Sequence, residues 1–111
     1  MSEMNGTGMP RKPVKSRALN KNDARENILR RLRRAEGQIR GIQRMLEKED
    51  DCLSIGQQFS AVRKALDSTY LLMTVCFAEQ EIETIVARGD NSRESKELVL
   101  KDLEGMLARI L

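Results

Sequence analysis

The sequence is poor in the side chains that most often build metal sites, catalytic centres and large cores. It has no histidine and no tryptophan, and its aromatic residues are Phe59, Tyr70 and Phe77. Without imidazole, the nitrogen-rich sites that Ni(II) and Co(II) prefer are strongly disfavoured. No nucleophile–base pair stands out either, so we do not expect an enzyme. With so few large side chains, a monomer this short would struggle to build a core, and we expect self-association.

Long apolar runs are also missing. The N-terminal stretch mixes glycine, proline and basic residues and lacks the apolar core of a secretory signal. The longest apolar run, residues 71–78, is interrupted by Thr74 and is too short to span a bilayer. Without an export signal, Cys52 and Cys76 are interpreted as reduced thiols rather than as a disulfide. We therefore expect a cytoplasmic protein that does not enter the membrane.

Basic residues outnumber acidic ones only slightly, 20 against 17, for a formal net charge of +3. This balance allows an anionic partner without demonstrating one, so the position of the charges carries more information. Residues 1–21 combine two prolines with several lysines and arginines and show neither a helical nor a strand period. We interpret residues 1–21 as a disordered basic arm, or as a tail without a role, and residues 22–111 as one domain.

The rest of the sequence carries helical periodicity in three segments and no strand pattern, which predicts an all-α protein. Helix one is expected from about Asn22, with Asn22 or Asp23 as its N-cap. Helix three is expected after a capping box formed by Asn91 and Glu94. The apolar stripe of helix one comprises Ile28, Leu32, Ala35, Ile39, Ile42 and Leu46, and that of helix three comprises Val99, Leu103, Met106, Leu107 and Ile110.

The second predicted helix is too long to be covered within one chain of this size. It is expected from Asp51 to Ala87, where Gly89 ends it, and at about 1.5 Å per residue it spans roughly 55 Å. From Tyr70 onward apolar residues occupy almost every side, so more than one partner helix must cover this half. Its main stripe comprises Ile55, Phe59, Val62, Leu66, Tyr70, Met73 and Phe77.

The polar side of helix one is basic and has few acidic neighbours. Glu36 stands almost alone among the arginines, whereas a solvated surface helix usually places an acidic residue four positions from a basic one. Such a face is typical of a helix that contacts a phosphate backbone, although ordinary solvated charge is the alternative. Because the buried stripe uses the few aromatic residues, duplex DNA is favoured over stacked single strands. The arginines are Arg30, Arg33, Arg34, Arg40 and Arg44, with Arg31 at the edge of the stripe.

Two glycines lie on the same side of helix one. Gly37 and Gly41 should each cost the helix about 1 kcal/mol relative to alanine. Their presence is explained if another backbone or a sugar-phosphate strand must come close, and a local kink is the alternative explanation.

One stretch of the sequence resembles a known family. Residues 31–42 read RLRRAEGQIRGI, and Met45-Leu46, Cys52 and residues 57–62, which read QQFSAV, follow in order. This combination is similar to the CsoR/RcnR family of metal- and thiol-responsive transcriptional repressors. The resemblance covers residues 27–81 without a gap.

The resemblance implies an architecture and a partner. It implies three helices per chain, with helix two pairing antiparallel in a four-helix-bundle-like dimer, and a dimer of dimers without a helix-turn-helix. It also implies a repressor of duplex operator DNA that an inducer releases. The DNA contacts would come from helix-one arginines, best matched by Arg31, together with Arg63 and Lys64 of helix two.

The resemblance also places an inducer-sensing cysteine at the start of helix two, where Cys52 stands. Family members usually add two ligands from the partner chain, 25 and 29 residues further on, and here those positions hold Phe77 and Glu81. On a regular helix both lie within about 20° of the face of Cys52 and about 37 to 44 Å along the axis. Only an antiparallel partner helix brings such positions to Cys52.

The residues present favour thiol chemistry over a metal as the trigger. Phe77 has no donor atom and Glu81 offers a hard oxygen that suits Cu(I) poorly, so Cys52 is the only strong candidate ligand. Cu(I) stays an alternative if Cys76 joins Cys52 across the dimer, although Cys76 lies about 120° off that face and is otherwise a core residue. A sulfur donor or an electrophile acting at Cys52 is the leading hypothesis. From a different class, a helical scaffold whose basic face meets an acidic protein is a further alternative.

Overall fold

A computed structural model describes residues 18–110. Its helices are α1, Asn22–Glu47, α2, Cys52–Ala87, and α3, Arg93–Ala108. Residues 18–110 contain no strand, so the prediction of an all-α protein with three helices is confirmed. α1 and α3 both pack on α2 and not on each other, which makes α2 the spine of the fold. None of these helices combines the length and the apolar character needed to cross a membrane.

The two connections between helices each contain a residue with left-handed backbone. Glu49 has a φ of 59° and Gly89 a φ of 67°. After Glu49 the chain turns back, and the Asp50 N–H donates to the Met45 carbonyl at 2.9 Å. The equivalent bond after Gly89 reaches the Ile85 carbonyl at 3.1 Å. This is the common way to satisfy the last carbonyls of a helix, and the predicted stop at Gly89 is confirmed.

The N-cap predicted for α1 is wrong, whereas α2 begins as expected. The N-cap of α1 is Lys21, which makes no side-chain capping bond, and Asn22 and Asp23 are already helical. At the start of α2 the Asp51 carboxylate accepts the Ser54 N–H at 3.1 Å. α1 therefore begins without the side-chain acceptor that usually satisfies an N-terminal N–H group.

The predicted Asn91–Glu94 capping box is also wrong, because α3 begins one residue later. Ser92 is its N-cap, and the Ser92 Oγ accepts the Ser95 N–H at 3.2 Å. The Asp90 carboxylate accepts from the Ser95 hydroxyl and, at 2.9 Å, from the Ser92 N–H. These bonds lower the pKa of Asp90 to about 2 and fix the turn that shifts the helix start past Asn91.

The buried contact between α1 and α2 changes character along its length. Near the loop that joins the two helices, Ile42 packs with Ile55 and Val62, and Met45 lies against this cluster. Further from the loop the buried residues are Ile28 and Ala35 of α1 and Thr69, Thr74, Gln80 and Ile85 of α2. The end of the core near the loop is thus stabilised by apolar burial alone. The far end also contains buried polar groups, which need hydrogen-bond partners.

In a single protomer, three of the six residues in the predicted apolar stripe of α1 and two of the seven in that of α2 are exposed. Phe59 is 57% exposed and Leu66 is 38% exposed, so the helices of the same chain do not bury this part of the α2 stripe. The exposed residues line an open groove of about 610 Å³ between α1 and α2. Its apolar side chains are Ile39, Ile42, Leu46, Phe59, Val62 and Leu66. We call this surface the α1–α2 groove.

We expect Ser92→Ala, which removes the hydroxyl that caps α3, to lower the free energy of unfolding by about 1 kcal/mol. The measurement is urea unfolding at one fixed protein concentration, because association would add to the apparent stability. Asn91→Ala is the matched control, since the Asn91 side chain accepts a hydrogen bond from the Lys96 ammonium at the surface instead. A larger loss for Asn91→Ala than for Ser92→Ala would contradict this assignment of the cap.

Candidate functional site

α1 turns a set of exposed arginines away from α2. On a helix of about 100° per residue these arginines fall within about 120° of arc. None of them forms an ion pair with an acidic side chain among residues 18–110. Their charge is therefore available to an anionic partner. We call this surface the basic face, and its members are Arg30, Arg33, Arg34, Arg40 and Arg44.

Arg31 lies at the edge of the basic face, on the flank that is nearest to α2. Its Nε donates to the Asn27 Oδ1 at 3.1 Å, one helical turn earlier, and the Arg30 guanidinium lies 3.5 Å from the same oxygen. The Arg31 side chain is thus held along its own helix, and the residue remains exposed. A side chain that is already oriented loses less conformational entropy when it binds a partner.

Gly37 and Gly41 lie in the middle of the basic face, and nothing in the protomer requires them there. A Cβ added at either position would meet no atom within 4 Å. Close approach between parts of this chain therefore does not explain the two glycines. Without side chains at these two positions, the backbone of α1 is accessible there to a molecule outside the protomer.

The two basic residues predicted on α2 occupy different surfaces. Arg63 lines the α1–α2 groove together with Phe59 and Leu66. Lys64, about 100° further round the helix, is exposed outside the groove. Because the basic face points away from α2, neither residue joins it within one protomer.

Cys52 is the first residue of α2, and its side chain is exposed. The residue before it, Asp51, directs its carboxylate to the Ser54 N–H rather than to the thiol. Cys52 is therefore open to a small reagent from solvent, at the end of α2 that lies next to the α1–α2 loop.

The other predicted sensing residues lie in the far half of α2. Cys76, Phe77 and Glu81 are each partly buried. About 36 to 44 Å of continuous helix separates them from Cys52, so a single protomer does not bring the four together. Glu81 lines a crevice of about 290 Å³ between α2 and α3, beside Ser95. Among residues 18–110, no three cysteine or carboxylate side chains are placed to hold one metal ion.

Sequence reasoning missed a hydrogen-bonded contact between the far half of α2 and the chain that precedes α1. The Gln80 side chain is buried, and the residue is only 5% exposed. Its Nε2 donates to the Ala18 carbonyl at 2.8 Å, and its Oε1 accepts the Asn20 N–H at 2.9 Å. Gln80 stands between Glu79 and Glu81 in a polar stretch of α2, so nothing in the sequence marked its side chain as buried or identified its partners.

An ion pair lies beside this contact. The Lys21 Nζ donates to the Glu83 Oε2 at 3.1 Å, and this hydrogen bond together with the Glu83 charge raises the pKa of Lys21. Both side chains are exposed. The last residues of the predicted basic arm, 18–21, are thus attached to α2, whereas residues 1–17 lie outside the described residues.

Comparison with known proteins identifies relatives over most of the chain. Residues 24–109 match the family model described as a metal-sensitive transcriptional repressor. The chain is 34% identical to the copper-sensing transcriptional repressor RicR of Mycobacterium tuberculosis over 87 residues, which cover 78% of this chain and 88% of RicR. It is 35% identical to the copper-sensing transcriptional repressor CsoR of Bacillus subtilis over 75 residues, which cover 68% of this chain and 74% of CsoR. These relatives are transcriptional repressors, not enzymes.

Two solved structures share the fold. The nickel-responsive transcriptional regulator InrS superposes with a TM-score of 0.63 and 31% identity, over 78% of this chain and 91% of InrS. A variant of the formaldehyde-responsive regulator FrmR from Salmonella enterica serovar Typhimurium superposes with a TM-score of 0.63 and 26% identity, over 83% of this chain and 99% of FrmR. By its sequence and by its three-helix fold, the chain belongs to the CsoR/RcnR family of metal-sensitive transcriptional repressors.

Proposed function

We propose that the chain binds duplex operator DNA as an oligomer in the cytoplasm and is released by an inducer that acts at Cys52. The observation that carries this proposal is the basic face of α1, whose arginines pair with no acidic side chain among residues 18–110. Arginine binds phosphate oxygens through two parallel N–H groups, so a helix that presents several arginines fits a phosphate backbone. The relatives, which are named as transcriptional repressors, support the same partner.

The proposed DNA surface extends beyond the basic face. Because Gly37 and Gly41 have no side chains, a sugar-phosphate strand can approach the backbone of α1 at the centre of the basic face. The basic residues of α2 join this surface only when protomers assemble. The proposed DNA-binding residues are Arg30, Arg31, Arg33, Arg34, Arg40, Arg63 and Lys64.

Assembly follows from the uncovered α1–α2 groove. We propose that α2 pairs antiparallel with α2 of a second protomer, about a two-fold axis near residues 63–65, and that two such dimers form the tetramer. The pairing buries Phe59 and Leu66, which are exposed in one protomer. Burial of apolar surface contributes about 25 cal/mol per Å², and this gain stabilises the dimer.

The same pairing completes the proposed sensing site. On a regular helix Cys52, Phe77 and Glu81 lie within about 20° of the α2 face that carries Phe59 and Arg63 in the groove. Cys52 and Phe77 are almost equally distant from the proposed axis. An antiparallel partner therefore brings Phe77 and Glu81 of the partner subunit to Cys52.

The side chains of this site do not fit a three-ligand Cu(I) centre. Cys52 is a soft ligand, but Phe77 has no donor atom and Glu81 offers a hard oxygen. Cys76 is the second thiol, and it is partly buried about 120° from the face of Cys52. A Cu(I)-responsive repressor with a site built from Cys52 and Cys76 is the alternative that the third experiment below separates from our proposal.

We therefore propose a thiol-reactive sulfur species or an electrophile as the inducer. The cysteine sulfur is the nucleophile in both reactions, and the Cys52 thiol is exposed. The similar proteins respond to copper, nickel or formaldehyde, so membership of the family does not select the inducer. The proposal rests on the side chains that surround Cys52 instead.

Arg31→Ala is expected to weaken operator binding at least about tenfold, because a charge-assisted phosphate contact is lost. It should also reduce the slope of log affinity against log salt concentration by about one unit. The free energy of unfolding should change by less than about 0.5 kcal/mol, because the side chain is exposed. Fluorescence anisotropy at several salt concentrations, with a duplex selected from a random library, measures affinity and slope.

Arg93→Ala is the control for this experiment. It removes the same charge from an exposed position of α3, away from the basic face. Unchanged affinity and slope in Arg31→Ala, together with silent alanine variants of Arg30, Arg34 and Arg40, would remove α1 as the DNA surface.

We expect no stable folded monomer at micromolar concentration, because one chain leaves the α1–α2 groove uncovered. Sedimentation equilibrium combined with circular dichroism measures mass and helix content on the same samples. Phe59→Glu places a charge in the groove and should dissociate and unfold the protein. Leu53→Glu is the control, since Leu53 is 77% exposed and does not line the groove. A compact, helical wild-type monomer would refute the antiparallel pairing.

Cys52→Ser is expected to abolish the inducer response and to leave operator affinity within about twofold, because a hydroxyl is a far weaker nucleophile than a thiol. Cys76→Ser should have the smaller effect. The measurement is operator release by polysulfide, formaldehyde and Cu(I), each tested on the wild type and on both serine variants. Tight stoichiometric Cu(I) binding that requires both cysteines would restore the copper alternative. A response of Cys52→Ser equal to that of the wild type for every inducer would place the sensing site elsewhere.

A further inference from the structure

The two ends of α1 are attached to α2 in different ways. At the end near the loop, Ile42 packs with Ile55 and Val62 in an apolar cluster. At the other end, the N-cap Lys21 makes no side-chain capping bond. The start of α1 therefore depends on whatever holds the residues immediately before it.

Gln80 provides that attachment. Its side-chain amide donates to the Ala18 carbonyl at 2.8 Å and accepts the Asn20 N–H at 2.9 Å. If either bond broke while Gln80 stayed buried, its amide would keep an unsatisfied polar group, which is costly. The two bonds are therefore expected to form and break together. The Lys21–Glu83 ion pair beside them is exposed and is expected to add little. We call the contact of Gln80 with Ala18 and Asn20 the Gln80 latch.

The latch lies next to the proposed sensing positions. Gln80 directly precedes Glu81 in α2 and follows Phe77 by less than one helical turn. Under the proposed function these two residues face Cys52 of the partner subunit. A group attached to Cys52 needs space there, and the α2 segment that carries Gln80 is directly adjacent to that space.

We infer that Gln80 is a positioning residue that transmits inducer chemistry to the DNA surface. In the DNA-binding state the latch is closed and holds the start of α1 against α2. Modification of Cys52 opens the latch, and the first turns of α1 are released while the Ile42 cluster stays packed. The inference rests on the proposed function, since it requires Cys52 as the sensor and the basic face as the DNA surface.

The distances along α1 agree with such a role. Arg30 and Arg31 lie about 15 Å from Lys21 along the helix axis, whereas Ile42 lies about 32 Å from it. A change at the latch therefore moves the early arginines relative to the later ones without disrupting the apolar end of the core. DNA binding requires these arginines in one fixed arrangement, because each must reach its own phosphate.

The first test measures the latch itself by amide hydrogen exchange in the full-length protein. Gln80→Met keeps the length of the side chain and removes both hydrogen bonds. We expect the Asn20 N–H to exchange at least about tenfold faster, along with the first turn of α1, while amides around Ile42 keep their protection. Gln57→Met is the matched control, because Gln57 is an exposed glutamine of the same helix. Asn20→Pro removes the same donor from the other side of the contact and does not alter α2.

The second test measures coupling as the ratio of operator affinities without and with polysulfide. In Gln80→Met and in Asn20→Pro we expect this ratio to fall at least about fivefold, because the unmodified protein already has an open latch. Affinity in the presence of polysulfide should stay unchanged, and so should the rate at which Cys52 reacts. A purely structural role would lower both affinities together and leave the ratio unchanged.

The possible outcomes separate this inference from the proposed function. Cys52-dependent release with a wild-type ratio in both latch variants overturns the latch and leaves the proposed function intact. Unchanged exchange of the Asn20 N–H in Gln80→Met overturns the latch as well. Release that persists in Cys52→Ser overturns the proposed sensing site and, with it, the link from that site to Gln80. A reduced ratio with unchanged Cys52 reactivity supports the latch.

Discussion

The structure depends on one constraint, which is that the two helices packed on α2 leave part of its apolar stripe uncovered. α2 has 36 residues, whereas α1 has 26 and α3 has 16. Both shorter helices lie against α2, and Phe59 and Leu66 still remain open. Because a helix in water owes most of its stability to packing of its apolar face, a spine of this length needs a cover from outside the chain. Assembly and sensing are therefore linked, since the uncovered surface continues toward the proposed sensing positions.

The two proposed interfaces occupy different sides of the protomer. The basic face of α1 points away from α2, and the α1–α2 groove opens to one flank of the contact between the two helices. Apart from Arg63, which lines the groove and is also proposed to bind DNA, the second protomer and the DNA thus contact different residues. An inducer that acts at the protomer–protomer surface must work through the protein to affect the DNA surface, and α1 is the element that the two surfaces share.

Most of the fold could be predicted from the sequence, because it follows from local periodicity and from strong helix signals. The spacing of apolar residues gave the number of helices, Asp51 marked the start of α2, and Gly89 marked its end. The caps of α1 and α3 were misplaced, because several adjacent residues can cap a helix and the choice depends on hydrogen bonds in the turn. At α3 the hydrogen bonds that Ser92 and Ser95 donate to Asp90 fix the turn in which Ser92, and not Asn91, is the N-cap.

The candidate site was only partly accessible to sequence reasoning. The arginines of α1 and Cys52 could be singled out from the sequence as candidates, because each stands out within one short segment. A stripe of apolar residues does not reveal which part is covered by the same chain, and so the exposure of Phe59 could not be predicted. The partners of Gln80 lie 60 and 62 positions away, a separation over which periodicity carries no information.

The threonines of α2 have a mechanical consequence. Three hydroxyls donate to carbonyls four residues earlier, from Thr69 to Ala65 at 2.8 Å, and from Thr74 and Thr84 to their acceptors at 2.9 Å. Each such carbonyl is shared with a backbone N–H, which loosens the helical ladder and favours bending. The bonds of Thr74 and Thr84 lie in the half of α2 that is remote from Cys52, and the bond of Thr69 lies just before its midpoint. The remote half of α2 should therefore bend more easily than the half that begins at Cys52. A force applied to the remote half is expected to bend the helix there before it moves the other end.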